Sequence, residues 1–234
     1  MPVSQPIGLY IHVPFCVRKC PYCDFYSLPL TDDSTLDRYT DALLRSLDRW
    51  SERLPGCRAD TLYLGGGTPA LLGGRRIGAI LRCADERFSL FSADRPEVTL
   101  EANPADGLYD TFSAFAAAGG SRVSLGMQSA DERELSLLGR RHAPADVQRA
   151  VADARRAGIG EISLDLMLAT SGQTQQSVRR SVDRVCALGA QHASAYLLKI
   201  EPGTPYGQSP PPLPDDDAAA DLYLTAADAL SAAG

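Results

Sequence analysis

Six short apolar runs recur along the chain with longer helical patterns between them, and this rhythm restricts the fold more than any other feature. The runs are "IGLYIHV" (7–13), "TLYLGGG" (61–67), "EVTLEAN" (97–103), "RVSLGMQ" (122–128), "EISLDLM" (161–167) and "ASAYLLKI" (193–200). Stretches such as "LDRYTDALLRSLDRW" (36–50), "RRIGAILRCADERF" (75–88), "PADVQRAVADARRAG" (144–158) and "QQSVRRSVDRVCALG" (175–189) lie between them and space their apolar residues as helices do. "DARRAG" and "CALG" end on glycine, the usual signal that a helix stops. Strands separated by helices of this length pair in parallel. Six such units fall short of the eight that close a barrel. The expected fold is therefore α/β: a partial (β/α)6 TIM-like barrel, an open parallel sheet with outer helices.

After the sixth run, "PGTPYGQSPPPLPDDD" (202–217) is rich in proline and is expected to lack regular structure. A last helix follows, "DDAAADLYLTAADALSAAG", with the aspartate run placed to cap its start. The organisation read from this is a core over 1–207 and a Pro-rich linker with a terminal helix over 208–234.

The formal charge of −6, from 29 acidic and 23 basic residues, gives no support to a surface that tracks phosphates, so no nucleic-acid partner is expected. No stretch of about 18 apolar residues exists, so no membrane-spanning helix is expected. The start, "MPVSQPIGLYIHVPF", has neither a basic leader nor a small-residue cleavage site. Three of the six cysteines fall within eight residues of a chain too large to need a disulfide framework. Together these point to the cytoplasm, a reducing compartment, and to a metal or redox site.

In a parallel βα barrel, ligands bind at the C-terminal ends of the strands. Those ends carry Tyr10 and His12 on the first strand, Gly65, Gly66, Gly67, Thr68 and Pro69 after the second, and Glu101 and Asn103 on the third. The fourth brings Gln128 and Ser129, and the fifth carries Asp165. Any one could be a cap or a turn residue, but five strands in register around one rim argue for a shared site.

Directly after the first strand comes "FCVRKCPYCDF", with cysteines at 16, 20 and 23. Four readings compete. A structural zinc needs four ligands, and His12, the local candidate for the fourth, lies inside the strand. A disulfide would leave the third thiol over. Chance clustering of buried thiols sits badly with Arg18, Lys19 and the Pro21 turn. An iron–sulfur cluster is the reading that remains, since cubanes are held by thiolates on a short loop. Three ligands on four irons leave one iron open to an external chelate. Of the other cysteines, Cys83 and Cys186 lie on helical patterns and read as buried thiols, and Cys57 falls in a loop with no role assigned. His142 and His192 read as packing or surface residues.

C-x3-C-x2-C on the loop after the first strand of a partial barrel resembles the radical S-adenosylmethionine (SAM) superfamily. In that superfamily the amino and carboxylate groups of SAM complete the unique iron, and one electron from the cluster cleaves the sulfonium to methionine and a 5′-deoxyadenosyl radical. "LYIHVPFCVRKCPYCDF", "GGGTPALL", "LEANP", "SLGMQS", "LGRRH", "LDLM" and "AYLLKIEPGTPY", in that order, resemble the oxygen-independent coproporphyrinogen III oxidase-like family over residues 7 to about 207. The resemblance implies that Cys16, Cys20 and Cys23 hold a [4Fe–4S] cluster. It implies SAM contacts from Tyr10 and Tyr22, a cradle for the methionine end of SAM at Gly66, Gly67 and Thr68, and a hydrogen bond from SAM to Glu101. Gln128, Arg140 and Asp165 match positions lining a second SAM or the substrate side of the cavity. Read on its residues alone, Arg140 could equally be an exposed cation on the helix after strand four, and Gln128 a satisfied strand end.

Within the family the sequence leans towards the HemW branch, the haem chaperones. The dehydrogenase has another cysteine two residues after the third ligand, where this chain has Phe25, and a long arm ahead of the cluster loop. "LGRRH" and "KIEPGTP" resemble the HemW branch. The resemblance thus implies a [4Fe–4S] cluster and SAM as cofactors, with haem as a further candidate. It implies haem or a porphyrin-type small molecule and a low-potential electron donor protein as partners. The alternatives are oxidative decarboxylation of coproporphyrinogen III and a related radical SAM methyl transfer.

Two departures bear on this. The family's Gly-Leu-Pro-Gly-Gln-Thr loop after strand five reads Ala169-Thr170-Ser171-Gly172-Gln173-Thr174, which questions the geometry beside Asp165. The family's C-terminal domain, the lid of the barrel, has no counterpart within these 234 residues, so 208–234 reads as the start of a missing C-terminal region.

Overall fold

The structure, a computed structural model, describes residues 6–30, 32–104 and 107–234. Its elements in chain order begin with β1 (Pro6–Val13), β2 (Phe15–Cys16), β3 (Leu28–Pro29), α1 (Asp33–Arg53), β4 (Arg58–Gly66) and α2 (Gly73–Phe88). There follow β5 (Glu97–Ala102), α3 (Leu108–Ala117), β6 (Arg122–Gln128), α4 (Glu132–Leu137) and α5 (Pro144–Arg156). The last are β7 (Glu161–Leu168), α6 (Gln175–Ala187), β8 (His192–Leu197), α7 (Pro205–Gln208) and α8 (Asp216–Ala232).

Six strands form one sheet in the order β1-β4-β5-β6-β7-β8, every neighbouring pair parallel, as the strand–helix alternation requires. The sheet is open: β1 and β8 are its edges. The expected six-unit partial barrel is therefore the observed architecture. The sixth strand is shorter than its apolar run, because residues 198–200 leave the sheet.

Alternation along each strand separates two faces. Leu62, Leu64, Val98, Leu100, Val123, Leu125, Ile162 and Leu164 are fully buried and form the core with Ile77, Ile80, Phe112, Phe115, Val147 and Val151 of the helices. The intervening residues are Tyr10 and His12, Tyr63 and Gly65, Thr99 and Glu101, Ser124, Gly126 and Gln128, Ser163 and Asp165, and Tyr196. A closed barrel would fill this second face with branched aliphatics. Here it is aromatic at β1 and β4 and acidic or hydroxylic across β5 to β7, which suits a polar ligand.

Local chemistry explains the element ends. Asp32 accepts from the backbone N of Thr35 at 2.8 Å to start α1, and Thr174 accepts from Ser177 N at 3.2 Å to start α6. The proline-rich stretch corrects an expectation: Pro205–Gln208 is a short helix. Thr204 is its N-cap, accepting from Gly207 N at 3.0 Å, and Pro205 at its first position has no N–H to leave unsatisfied. The terminal helix α8 packs Leu222 and Ala226 against Leu168, Ala169 and Val178. Cys186 is a second correction: it is exposed on the outer face of α6, while Cys57 and Cys83 are half-buried.

Candidate functional site

The cysteine loop is held to the sheet at its root. Leu28 N donates to Pro14 O at 2.7 Å and Leu30 N to Cys16 O at 2.9 Å, which closes the loop on itself. On the sheet side, Gly67 N donates to Val13 O at 2.8 Å and Thr68 N to Phe15 O at 2.7 Å. The approach is so close that a Cβ on Gly67 would lie 2.5 Å from Phe15 O. Glycine is required there by contact with backbone, and at Gly66 also by a φ of +114°.

His12 is engaged elsewhere than with the cysteines. Its Nε2 lies 2.8 Å from Tyr26 O, which can only accept, so Nε2 carries the proton. Nδ1 then accepts from Tyr10 Oη at 3.1 Å. Both nitrogens are used to tie the far end of the loop to β1.

Cys16, Cys20 and Cys23 are free and half-buried. Cys23 N donates to Cys20 O at 3.1 Å, a turn that brings the last two thiols together. Burial pushes the Cys23 thiol up, Lys19 works against this, and Cys20 and Cys16 are near enough to add to the rise. Thr68 Oγ1 donates to Cys16 Sγ at 3.7 Å, and Arg140 donates to Cys20 Sγ at 3.7 Å. Asn103 joins these two donors: its Nδ2 donates to Thr68 Oγ1 at 2.9 Å, and its Oδ1 accepts from Arg140 at 2.6 Å. Since Asn103 donates to the Thr68 oxygen, the hydroxyl proton is left for Cys16. The result is a run of donors that ends on two of the three sulfurs.

Arg140 is largely buried in the loop after α4, and the reading of it as an exposed helical cation is corrected. Besides Asn103 and Cys20 it donates to Gly126 O at 2.9 Å and to Tyr22 Oη at 3.4 Å. Among the described residues no carboxylate forms an ion pair with it. Burial alone would lower its pKa, but Tyr22 and Cys20 outweigh that and the net direction is upward. A buried cation without a carboxylate is costly unless another anion faces it.

Glu101 lies on the concave face, accepting from Tyr63 Oη at 2.7 Å and from Gly66 N at 3.0 Å. Burial raises its pKa and these two donors oppose the rise. Asp165 accepts from Ser124 Oγ at 3.0 Å; burial pushes its pKa up to about 6, Ser124 opposing and the charge of Glu101 adding. Gln128 accepts from Tyr196 Oη at 3.1 Å and sits in the left-handed region at φ 65°. Tyr22 is largely buried beside Arg140, and burial raises its phenol. Tyr10 is exposed and stacks on Tyr63 with ring centres 6.1 Å apart.

The structure thus joins Cys16, Cys20, Cys23, Tyr22, Thr68 and Arg140 through contacts at the rim. It places Tyr10, Glu101, Gln128 and Asp165 on the concave face beside them, with Gly66 and Gly67 at the junction. Sequence reasoning gave Asn103 a place at a strand end but no role, and passed over Tyr63, Ser124 and Tyr196. Strand parity carried a signal for these three: Tyr63 lies in register beside Tyr10 and Ser124 beside Glu101, and Tyr196 shares the face of Asp165 two positions further along β7 and β8. In the changed loop Ala169 adopts a left-handed φ of 57°, a position that suits the glycine of the family's loop.

Among the described residues no group of three or more His, Cys, Asp or Glu side chains converges as ligands of a single metal ion. A cubane imposes a different demand, because each thiolate holds a different iron and the thiols must surround a volume and not a point. Three half-buried thiols on one loop, with donors aimed at two of them, fit that demand.

The profile of the radical SAM superfamily matches residues 10–185. The chain is 40% identical to heme chaperone HemW of Escherichia coli (strain K12) over 98% of its own length and 60% of that protein. It is 39% identical to heme chaperone HemW of Mycobacterium tuberculosis (strain CDC 1551 / Oshkosh) over 99% of its length and 60% of that protein. The chain therefore spans about 60% of the length of the curated relatives it matches. Among solved structures, coproporphyrinogen III oxidase (HemN) from Escherichia coli, a radical SAM enzyme, superposes with a TM-score of 0.88 at 24% identity. That match covers 99% of this chain and 54% of the other and shows the shared fold. On the extent of the profile match and the geometry of the cysteine loop, this chain belongs to the radical SAM superfamily.

Proposed function

We propose that the chain is the SAM-binding core, over 1–207, of a HemW-type protein that receives and passes on haem in the cytoplasm. Cys16, Cys20 and Cys23 hold a [4Fe–4S] cluster, and SAM binds at its open iron. The cluster, when bound, supplies one-electron reduction, and SAM supplies the sulfonium on which it acts. Gly66, Gly67 and Thr68 accommodate the methionine end of SAM, where the absence of a Cβ lets a ligand approach backbone N–H groups. Glu101, fixed by Tyr63 and the Gly66 N–H, presents a carboxylate that accepts a hydrogen bond from SAM. Tyr10 and Tyr22 flank the ligand, and Gln128 and Asp165 line the far side of the cavity.

The observation that carries this reading is Arg140. A largely buried guanidinium facing a cysteine sulfur, with no carboxylate of the described chain against it, is balanced by anionic thiolates and by the carboxylate of a bound amino acid. Haem follows from the relatives and from Phe25, which is 63% exposed where the dehydrogenase has its extra cysteine. An electron donor protein of low potential completes the set of partners.

The test is EPR of the anaerobically reconstituted, reduced protein with and without SAM, followed by haem titration. The expected result is a cubane signal that shifts on adding SAM, and saturable haem binding. An iron-loaded protein whose signal ignores SAM would overturn the SAM assignment. Conversion of coproporphyrinogen III to a decarboxylated product, without haem binding, would overturn the chaperone reading.

A further inference from the structure

A cavity of about 660 Å³ lies behind the cysteine loop, lined among others by Val17, Arg18, Cys20, Gly139 and Arg141. Cys20, Thr68, Asn103 and Arg140 of the site described above line it too, whereas Tyr10, Glu101, Gln128 and Asp165 do not. Two segments distant in sequence meet there. Arg18 donates to Gly139 O at 2.6 Å, and Pro21 packs so tightly on Gly139 that a Cβ at 139 would lie 2.9 Å from Pro21 Cδ. The outer turn of the cysteine loop and the "LGRRH" loop are therefore one surface.

Its charge is opposite to that of the chain. Residues 14–23 and 135–145 contain Arg18, Lys19, Arg140 and Arg141, in a protein of formal charge −6. Asp24, Glu134 and Asp146 adjoin these stretches; Asp146, which lines the same cavity, accepts from Ala143 N and Glu134 is buried, so the exposed charged side chains of the turn itself are cationic. Arg18, Lys19 and Arg141 are exposed. Among the described residues none of the three forms an ion pair. Val17, between them, is 57% exposed and gives the patch an apolar centre. The turn that carries these side chains lies between Cys16 and Cys20, so anything seated on it is close to both thiols.

We propose that Val17, Arg18, Lys19 and Arg141 form the docking face for an acidic protein carrying a one-electron redox group. Three unpaired cations around a small apolar centre suit a transient encounter, in which complementary charge sets the association rate and a small contact area allows release. The step is a single electron transfer. The partner's group is oxidised by one electron, the cluster is reduced by one, and no bond, proton or atom changes hands. Docking on this outer face leaves the concave mouth free for SAM and for a macrocycle. The proposal rests on the cluster assignment made above, and its test separates the two.

Reduction of the reconstituted chain by an acidic flavodoxin in its hydroquinone form is followed by stopped flow from low salt to about 200 mM, where exposed charges more than about 7 Å apart are largely screened. The comparison is between wild type, Lys19→Glu/Arg141→Glu, and Arg45→Glu/Arg49→Glu, which makes the same charge change on the exposed face of α1. The wild-type and Arg45/Arg49 rates are expected to fall steeply with salt. The Lys19/Arg141 variant is expected to be slower by about tenfold or more at low salt and almost insensitive to salt. At about 200 mM salt, where the charge of this anionic reductant is largely screened, reduction by dithionite should agree within about twofold across all three, since a small reductant needs no docking face. Equal flavodoxin rates in the two variants would overturn the docking face. Failure of wild type to assemble any cluster would refute the proposed function; calorimetric titration of the cluster-free chain with flavodoxin then decides the docking face by itself, with equal affinities in wild type and Lys19→Glu/Arg141→Glu overturning it.

Discussion

Replacing Gly67 by alanine adds one methyl group in the most tightly built part of the molecule. The new Cβ would lie 2.5 Å from Phe15 O, 2.9 Å from its N and 3.0 Å from its carbonyl carbon. All three neighbours are backbone, so no side chain can swing aside. The φ of Gly67 lies outside the left-handed region, and the cost therefore comes from contact and not from the conformation of residue 67 itself. Relief requires a movement of about 1 Å between the end of β4 and the strand that carries Cys16. Val13 and Phe15 are buried, and two hydrogen bonds, Gly67 N to Val13 O and Thr68 N to Phe15 O, hold the two segments together. Overpacking of this kind costs about 1–3 kcal/mol, and weakening two net hydrogen bonds adds about 0.5–1.5 kcal/mol each. The expected loss is about 2–6 kcal/mol, a large part of the stability of a typical domain.

Gly73→Ala is the matched control. Gly73 has φ +73° with ψ 158°, a region open essentially to glycine alone, and a methyl group added there meets nothing within 4 Å, so its cost is the backbone strain of about 1–3 kcal/mol and not contact. Urea denaturation of both variants, with iron content after anaerobic reconstitution and desalting, separates the two mechanisms. Gly67→Ala is expected to lose more stability than Gly73→Ala and to retain much less iron, because its strain is released into the Cys16 strand. Equal midpoints and equal iron would refute the claim that this contact positions the first thiol.

Asp165→Asn tests the buried carboxylate. A folded pKa of about 6 above an unfolded value near 3.8 means that the native state holds its proton more tightly. The contribution of Asp165 is therefore full below pH about 4, declines as pH rises through the folded value, and at pH 7.5 has fallen by up to about 3 kcal/mol. Asparagine keeps an acceptor for Ser124, so the variant is expected to gain stability at about pH 7.5 and little at about pH 4.5; an equal change at both would refute the assignment. Ala169→Gly is expected to shift stability by less than about 1 kcal/mol, since relief of about 1–2 kcal/mol in the left-handed region is offset by a lost buried methyl of about 0.8 kcal/mol and by chain entropy of about 0.5–1 kcal/mol. A large gain in melting temperature would show that the alanine is a serious strain.

The four inner strands, β4 to β7, were readable because each buries one face, so apolar residues recur at every second position and the runs end where the polar rim begins; the edge strands β1 and β8 bury less and were read from their apolar runs within the strand–helix alternation. Cys16, Cys20 and Cys23 were readable because their spacing is local. Arg140 was ambiguous for the opposite reason: its partners Asn103, Gly126, Tyr22 and Cys20 come from three other segments, and a local pattern shows only a cation after a short helix. Pro205–Gln208 was hidden by composition, since prolines that forbid a long helix are well suited to start a short one after Thr204. Cys186 was misplaced because helical spacing gives the period of an apolar stripe but not which side of a marginal position faces out.

Tyr206 adds one consequence. Its backbone N donates to Pro21 O at 3.0 Å, and its hydroxyl donates to Leu137 O, so α7 braces the cysteine loop from outside. Arg18 and Cys20 are likewise secured by residues about 120 positions downstream, at Gly139 and Arg140. During translation the cysteines leave the ribosome early, and at about 5–20 residues per second roughly ten seconds or more pass before Tyr206 is made. Until then the thiols sit on a loop without its outer fastenings. The metal-binding loop is thus synthesised well before the residues that fasten it from outside, and its folded arrangement is complete only once Tyr206 has emerged.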